Sequence, residues 1–257
     1  MNNIKTFENF NNKDIFTYID NDDIQSVKKY IDSGYDLNKQ NNLGNTALIL
    51  AAFYNKIKIV ELLLNSGADI NKQNDDGNTA LILAAYYDRI EIVELLLNAG
   101  ADIDKQNNNG NTALMWAATN DHIGVVKLLL NAGADINKQD NNGNTALMWV
   151  VINNDNNDKI FKILLNVGAN LDKQNNDGDT ALILAAVEDN RKMVELLLDY
   201  HADEFILDNN GKSFYYYLDD EEQQYFIKEY PNKVYNAISN WYKKSFTEFI
   251  KDYNIKN

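Results

Sequence analysis

The sequence predicts an all-α solenoid, in which successive helix pairs stack and each pair buries its apolar side against its neighbours. One motif recurs five times: GNTALILAA at 44–52 and 77–85, GNTALMWAA at 110–118, GNTALMWVV at 143–151 and GDTALILAA at 178–186. The copies are 33 residues apart three times and then 35. A second motif, such as VELLLNSGADIN at 60–71, follows each copy. A fixed period of this length is typical of repeat proteins whose units contact only their neighbours.

Each full repeat contains signals for two helices. A threonine precedes the first apolar run, where its hydroxyl can cap a helix; these residues are Thr46, Thr79, Thr112, Thr145 and Thr180. The second helix of the first copy begins near Lys56 and carries apolar residues at helical spacing. A glycine such as Gly67 follows it in a position that suits a left-handed helix end, and His201 takes that position in the last copy. Asn, Asp and Gly between the repeats predict hairpin-like finger loops.

The first 38 residues are predicted to be an N-terminal capping unit. They contain a degenerate copy of the repeat, with short helices expected at Asp14–Ile19 and Asp23–Asp32. Polar residues replace apolar ones there, which suits a terminal unit with one side in water. Five full repeats are then predicted for residues 39–205. The fourth has two extra residues within Asn153–Asp158, between its helices, where a longer loop costs little.

Residues 206–257 break the pattern and are predicted to hold a half-repeat, with Ser213 as helix cap, and a helical tail. An acidic run at Asp219–Glu222 indicates a helix start, and Pro231 precedes a pattern rich in aromatic residues. Residues 231–257 hold five lysines against two acidic residues, a net charge of +3. Three interpretations of the tail stay open: a cap on the last repeat, a segment that binds a partner in trans, or a helix on a membrane surface.

The motif G-x-T-A-L-x-x-A-A, followed by a leucine run and G-A-D-I-N, resembles the ankyrin repeat. The resemblance covers about 39–205 at full strength and implies a solenoid of helix–turn–helix pairs joined by finger loops. Two departures recur: the family's proline after the threonine is alanine, as at Ala47, and its following histidine is Ile or Met, as at Ile49 and Met115. Neither threatens the fold, because alanine is the best helix former and Ile or Met adds buried apolar surface.

Composition narrows the function classes. The formal net charge is −14 and the pI about 4.5, which argues against nucleic acid or an anionic membrane as partner and favours a neutral or basic protein. The chain has no cysteine, which excludes disulfides and thiolate nucleophiles from it. No apolar run is long enough for a transmembrane helix, and the first residues lack a signal-peptide core. We therefore expect a cytoplasmic protein, while export by a route without an N-terminal signal stays open.

Motifs for catalysis and for metal binding are missing. The two histidines, His122 and His201, occupy scaffold positions far apart in the array, and the sequence has neither a phosphate-binding glycine loop nor a G-x-S-x-G motif. Two finger loops, Asn74–Gly77 and Asp140–Gly143, imitate part of a calcium loop, but the carboxylates of its first and twelfth positions are absent. The sequence thus predicts no enzyme activity, no cofactor and no metal site.

Non-repeating side chains form the candidate binding site. In the ankyrin-repeat family, finger tips and the exposed edge of the first helix line a concave surface, and exposed Tyr and Trp commonly anchor interfaces. The resemblance therefore gives the partner-binding residues as Phe53, Tyr54, Asp75, Asp76, Asn78, Leu83, Tyr86, Tyr87, Trp116, Thr119, Asn120, Trp149 and Ile152. For Trp116 and Trp149, packing of one ring on the other between repeats is the second interpretation.

These observations predict a non-catalytic, monomeric module that binds a protein or peptide on a preformed surface, so that only the partner is ordered on binding. The competing prediction is a structural or regulatory protein that self-associates through its C-terminal tail. A molar mass that rises with concentration would favour the second.

Overall fold

The computed structural model describes residues 14–153 and 158–239, together with residues 248, 250, 251 and 253. All regular secondary structure in these ranges is helical. The chain divides into two compact units, with the boundary between Asn109 and Gly110. Most of the predicted insertion in the fourth repeat, at 154–157, lies outside the described residues, as do the tail aromatics Trp241, Tyr242 and Phe249.

The first unit contains three helix pairs in the described residues: α1 (Ile15–Asp20), α2 (Ile24–Asp32), α3 (Ala47–Phe53), α4 (Ile57–Asn65), α5 (Ala80–Tyr86) and α6 (Ile90–Asn98). The first helices pack in a row, α1 on α3 and α3 on α5, and the second helices form a row of their own. Small residues permit the close approach, since Ala51 and Ala52 of α3 are fully buried. The predicted stack of helix pairs is confirmed here.

The second unit continues the same pattern: α7 (Ala113–Thr119), α8 (Ile123–Asn131), α9 (Ala146–Ile152), α10 (Asp158–Val167), α11 (Ala181–Val187), α12 (Arg191–Asp199), α13 (Phe214–Tyr217), α14 (Asp220–Glu229) and α15 (Pro231–Ile238). In this unit α9 packs against both α7 and α11, and α11 also packs against α13. The short helix α13 in turn contacts α15, and α14 contacts α15. Phe226 of α14 and Val234 of α15 are fully buried.

Side-chain caps fix the start of each first helix. The Thr46 hydroxyl accepts a hydrogen bond from the backbone N–H of Ile49 at 3.3 Å, and the other four predicted threonines act in the same way. Ser213 occupies the equivalent position before α13, but its side chain makes no capping hydrogen bond. Ser213 is thus the N-cap residue, as predicted, but its hydroxyl does not cap the helix, because the N–H of Tyr216 donates instead to the Ser213 carbonyl, at 3.1 Å.

Ladders of side-chain amides hold the finger loops together. Gln40 donates both to the carbonyl of Gly44 in its own loop and to the carbonyl of Gln73 in the next loop, the latter at 2.8 Å. Gln73 repeats the arrangement one loop further on, and Gln139 and Gln174 do so in the second unit. Loop carbonyls that need a donor are satisfied in this way by the neighbouring repeat.

The glycine that opens each motif is required by a close approach as well as by its conformation. Gly77 has a φ of +77°, and a Cβ atom there would lie 2.5 Å from the backbone nitrogen of Asn108 in the next loop. Gly100, which follows α6, has a φ of +85° but open space around it. A side chain is thus penalised at Gly100 by backbone strain alone, and at Gly77 by strain and overlap together.

A buried carboxylate ties α15 to the last full repeat. Glu204, 7% exposed, accepts hydrogen bonds from Lys233 Nζ at 3.0 Å and from Asn236 Nδ2 at 2.7 Å. Burial alone would raise the pKa of Glu204, but hydrogen bonds from these two side chains and the backbone, with the Lys233 charge, outweigh burial and lower it. Earlier repeats carry Ile or Leu at this position, for example Ile70.

A second buried carboxylate lies where α14 meets α12. Glu222 is 4% exposed, and its Oε1 atom lies 3.5 Å from the Nε atom of Arg191. Burial raises the pKa of Glu222, and the nearby Asp189 and Asp219 raise it further, so that the opposing effect of Arg191 does not restore the ordinary value. Glu204, in the loop after α12, and Glu222, in α14, therefore have pKa shifts of opposite sign.

Candidate partner-binding site

In the first unit, four aromatic side chains form a continuous row at the ends of α3 and α5. The ring centroids are 4.8 Å apart for Phe53 and Tyr54, 4.9 Å for Phe53 and Tyr87, and 4.7 Å for Tyr86 and Tyr87. All three contacts are edge-to-face, a geometry that aromatic pairs prefer. The contact between Phe53 and Tyr87 joins two neighbouring repeats. We call Phe53, Tyr54, Tyr86 and Tyr87 the aromatic row.

Helical spacing explains where the row lies. In α3, Phe53 and Tyr54 follow Leu50 by three and four residues and therefore share a side of the helix with it. Tyr54 and Tyr87 are the C-cap residues of their helices and are 44% and 39% exposed. Leu83, another predicted site residue, is half-buried on α5. The structure thus brings the predicted aromatic residues of this unit together at its surface.

The chain itself places a cation on one ring of the row. The guanidinium carbon of Arg89 lies 5.9 Å from the centre of the Tyr87 ring. Lys56 holds the equivalent position one repeat earlier, but its Nζ atom lies 3.6 Å from a carboxylate oxygen of Asp22. In the described part of the first unit, no Lys or Arg side chain stacks on Tyr54.

The predicted finger residues differ in whether their side chains form contacts within the chain. Asp75 and Asp76 are exposed, and within the described residues neither carboxylate forms an ion pair. Their loop is fixed through backbone groups, since the Asp75 carbonyl accepts from Asn108 Nδ2 at 2.8 Å. The Oδ1 atom of Asn78, by contrast, accepts from Asn107 Nδ2 at 2.9 Å. Asn78 therefore has a structural contact between loops.

In the second unit, Trp116 and Trp149 are half-buried on α7 and α9. The Nε1 atom of Trp149 donates to Asp140 Oδ2 at 2.9 Å. Asp140 is 8% exposed and also accepts from the backbone N–H groups of Asn142 and Asn144. The polar group of Trp149 is thus engaged within the chain, which leaves the ring as the part available to a partner.

The other predicted residues of the second unit lie at helix ends. Asn120 is exposed, and its Nδ2 atom donates to the Trp116 carbonyl at 2.8 Å, which closes the end of α7. The carbonyl of Thr119 accepts from Asn153 Nδ2 at 3.3 Å. Ile152 is half-buried at the end of α9. Thr119 and Asn120 thus take part in hydrogen bonds at helix ends, within α7 and between α7 and the end of α9.

A cleft of about 520 Å³, with mainly apolar walls, lies beside α13 in the second unit. Two polar side chains at its edge are already engaged: Lys212 Nζ lies 3.9 Å from the centre of the Tyr216 ring, and Gln223 Nε2 donates to the Leu218 carbonyl at 3.0 Å.

Across the described ranges no group of three or more His, Asp or Glu side chains could hold a metal ion. No helix in those ranges is long and apolar enough to cross a membrane.

Two family models together match residues 15–107 and 109–210. The model described as ankyrin repeats in three copies matches residues 15–107 and 132–210, and the model of a single ankyrin repeat matches 109–141. The chain belongs to the ankyrin-repeat family. The resemblance carried by the G-x-T-A-L motif and the predicted fold class are confirmed.

Among solved structures, this ankyrin-repeat chain is similar to the ankyrin repeat domain of Bcl-3, described as a unique member of the IkappaB protein family. The TM-score is 0.76 at 26% sequence identity, and the match covers 82% of this chain and 96% of that one. A comparison with curated proteins found no match. Ankyrin repeats generally serve as protein–protein interaction modules, but 630 solved chains match this one, so the fold alone does not select a partner.

Among the buried acidic residues that sequence reasoning missed in this ankyrin-repeat chain, Asp140 and Glu204 each had a signal in the sequence. Asp140 replaces the Asn found at that place in most other loops, nine residues before Trp149. Glu204 replaces the Ile or Leu of the earlier repeats. In both cases a residue that breaks the repeat pattern has a specific partner, which is a general way to find such contacts in an array.

Proposed function

We propose that this ankyrin-repeat protein is a non-catalytic module that binds a protein partner through the finger and first-helix surface of its repeats. The aromatic row is the observation that carries the proposal. Tyr54 and Tyr87 hold equivalent positions in neighbouring repeats and are exposed, although large aromatic side chains are costly to leave in water. Tyrosine and tryptophan are also the side chains most enriched among residues that dominate binding energy.

The charge of the first unit favours a basic partner. Residues 14–109 hold 15 acidic and 8 basic side chains, a net charge of −7. Asp75 and Asp76 add exposed carboxylates on a finger loop of the same unit. Complementary charge speeds association and selects against wrong partners, including nucleic acid, whose phosphates this surface repels. The partner we propose is therefore a basic or neutral protein surface or peptide.

The second unit offers a related surface of its own. The rings of Trp116 and Trp149 are half-buried, and Thr119, Asn120 and Ile152 lie at the ends of the helices that carry them. Because the indole N–H of Trp149 is bound to Asp140, we propose that this surface contributes apolar contact area, with polar recognition coming from other groups.

The experiment compares two sets of exposed tyrosines. A partner is first identified by affinity capture from the native cell and then purified, so that dissociation constants can be measured. The double substitution Tyr54→Ala with Tyr87→Ala should weaken binding at least tenfold, since truncated interface anchors commonly cost about 2 kcal/mol. Tyr200→Ala is the matched control, because Tyr200 is 41% exposed in the second unit and outside the proposed surface. Equal affinity of all three proteins would place the binding site elsewhere.

We propose further that the protein acts as a monomer. The contacts of Lys233 and Asn236 with Glu204 engage the described part of the tail within its own chain, which supports this over self-association through the tail. Sedimentation over a hundredfold range of concentration should give a constant mass, whereas a mass that rises would support the self-associating alternative.

A further inference from the structure

We propose that the ring of Tyr54 is the receptor for an arginine side chain of the partner. The inference rests on the function proposed above for the aromatic row and adds the chemistry of the group that binds there.

Cations on tyrosine rings recur in this molecule. Arg89 lies 5.9 Å from the ring centre of Tyr87, and Arg191 lies 4.8 Å from that of Tyr225. In each pair the positive group is attracted to the negative face of the ring, and the contact is strongest where water is partly excluded. The molecule therefore already uses guanidinium groups on tyrosine in both of its units.

Of the two exposed rings of the row, Tyr87 has such a cation and Tyr54 has none within the described residues. It is equivalent to Tyr87, one repeat apart, and the residue two positions further on is Lys56, as Arg89 is for Tyr87. Lys56 is held by Asp22, with Nζ 3.6 Å from the carboxylate. The ion pair with Asp22 thus directs the chain's own cation away from Tyr54 and leaves that ring for an external one.

The surroundings of Tyr54 suit an incoming cation. Phe53 packs edge-to-face against the ring, with an interplanar angle of 83°, and supports its orientation. The ring is 44% exposed, so a side chain from another molecule can reach it. The net charge of −7 on residues 14–109 attracts positive groups to this unit.

Arginine fits better than lysine for a physical reason. A guanidinium is planar, stacks on aromatic faces and is more weakly hydrated than an ammonium, so it gives up less hydration when it settles on a ring. The partner should therefore present an exposed arginine, and replacing that arginine by lysine should not be neutral.

The probe is N-acetyl-arginine methylamide, titrated into the full chain labelled with 3-fluorotyrosine and followed by fluorine NMR. The Tyr54 signal is assigned from its loss in Tyr54→Leu. We expect this signal to shift in a saturable way, and N-acetyl-citrulline methylamide, which has the same shape without the charge, to bind roughly two- to fivefold more weakly. Equal binding of the two compounds, or equal shifts of the Tyr54 and Tyr200 signals, would overturn the inference.

A pair of variants tests the role of the ion pair. Asp22→Asn releases Lys56, which can then occupy the Tyr54 ring, so arginine binding should weaken although Asp22 does not contact the ligand. Adding Lys56→Gln removes the competing cation and brings the net charge back to its original value, and binding should recover. Failure of the double variant to recover would contradict the mechanism.

The inference and the proposed function can fail separately. If the purified partner loses affinity for Tyr54→Ala with Tyr87→Ala but binds equally well after each of its exposed arginines is replaced, the arginine inference is wrong and the proposed surface stands. If the tyrosine substitutions have no effect on the partner, the proposed surface is wrong, and the arginine inference, which rests on it, is wrong as well.

Discussion

At the scale of single residues, glycines with the same backbone conformation are under different constraints. Gly77→Ala and Gly100→Ala both force a side chain into a positive-φ conformation, which costs about 1 kcal/mol. Gly77→Ala also brings a Cβ atom to 2.5 Å from the backbone nitrogen of Asn108, so the next finger loop must move. We expect urea unfolding to show a loss for Gly77→Ala of about 3 kcal/mol, more than twice that for Gly100→Ala. Equal losses would mean that the loops are not held as closely as described.

The two buried glutamates give a second prediction at this scale. Glu204 has a lowered pKa, so its stabilising contribution is present above the pKa it has when unfolded and is lost as the pH falls through its folded pKa. Glu222 has a raised pKa, so its contribution is present below the unfolded pKa and is lost as the pH rises through its folded pKa. The same residue type should therefore respond in opposite ways to removal of its charge.

Thermal unfolding of Glu204→Gln and Glu222→Gln across pH 4 to 8 measures this difference. At pH 7, Glu204→Gln should cost about 2 kcal/mol, because the amide lacks the negative charge and one of the two oxygens that accept from Lys233 and Asn236. Glu222→Gln should be at least as stable as the unmodified protein at pH 7 and should lose less stability as the pH rises. A similar loss of stability in both variants at pH 7 would show that the pKa values of Glu204 and Glu222 are not shifted in opposite directions.

At the scale of elements, the first helices are too short to be stable in isolation. α3 and α5 have seven residues each, well below the length at which a helix persists alone in water. Their stability comes from packing against neighbours and from the threonine caps. Capping residues also locate other helices in the sequence. The helix predicted at Asp14–Ile19 corresponds to α1, and the helix start predicted from the acidic run corresponds to the Asp219 cap of α14. Ser213 shows the limit, since a backbone turn replaced the expected side-chain cap.

We propose that the terminal helices cap the last repeat, and removal of α15 tests this. A chain ending at Tyr230 loses Val234 and Ile238, both buried, and leaves Glu204 without its donors. Burial of two such side chains stabilises by about 4 kcal/mol, so the melting temperature should fall by about 10 °C relative to a chain ending at Ser239. A difference under about 2 °C would instead mark α15 as an appendage.

At the scale of the whole molecule, the repeat pattern predicted which segments would be neighbours but not how their side chains would meet. A 33-residue period places Tyr54 and Tyr87 at equivalent positions, and this much is readable from the sequence. The contact of Phe53 with Tyr87 and the ion pair of Lys56 with Asp22 depend on side-chain conformations across repeats. Similarly, a glutamine in each of the five loops from Gln40 to Gln174 is visible in the sequence, while the two carbonyls that Gln40 bonds are not.

The amide ladders also bear on how such a chain can change over generations. Each of these glutamines bonds one carbonyl in its own loop and one in the following loop. The contact between neighbouring repeats is therefore the same at each of the four described glutamines. Deleting or duplicating one whole repeat by recombination between the near-identical stretches would therefore leave each of these glutamines with an equivalent acceptor. The length of the proposed binding surface can in this way increase or decrease by whole repeats, with the contacts between repeats unchanged.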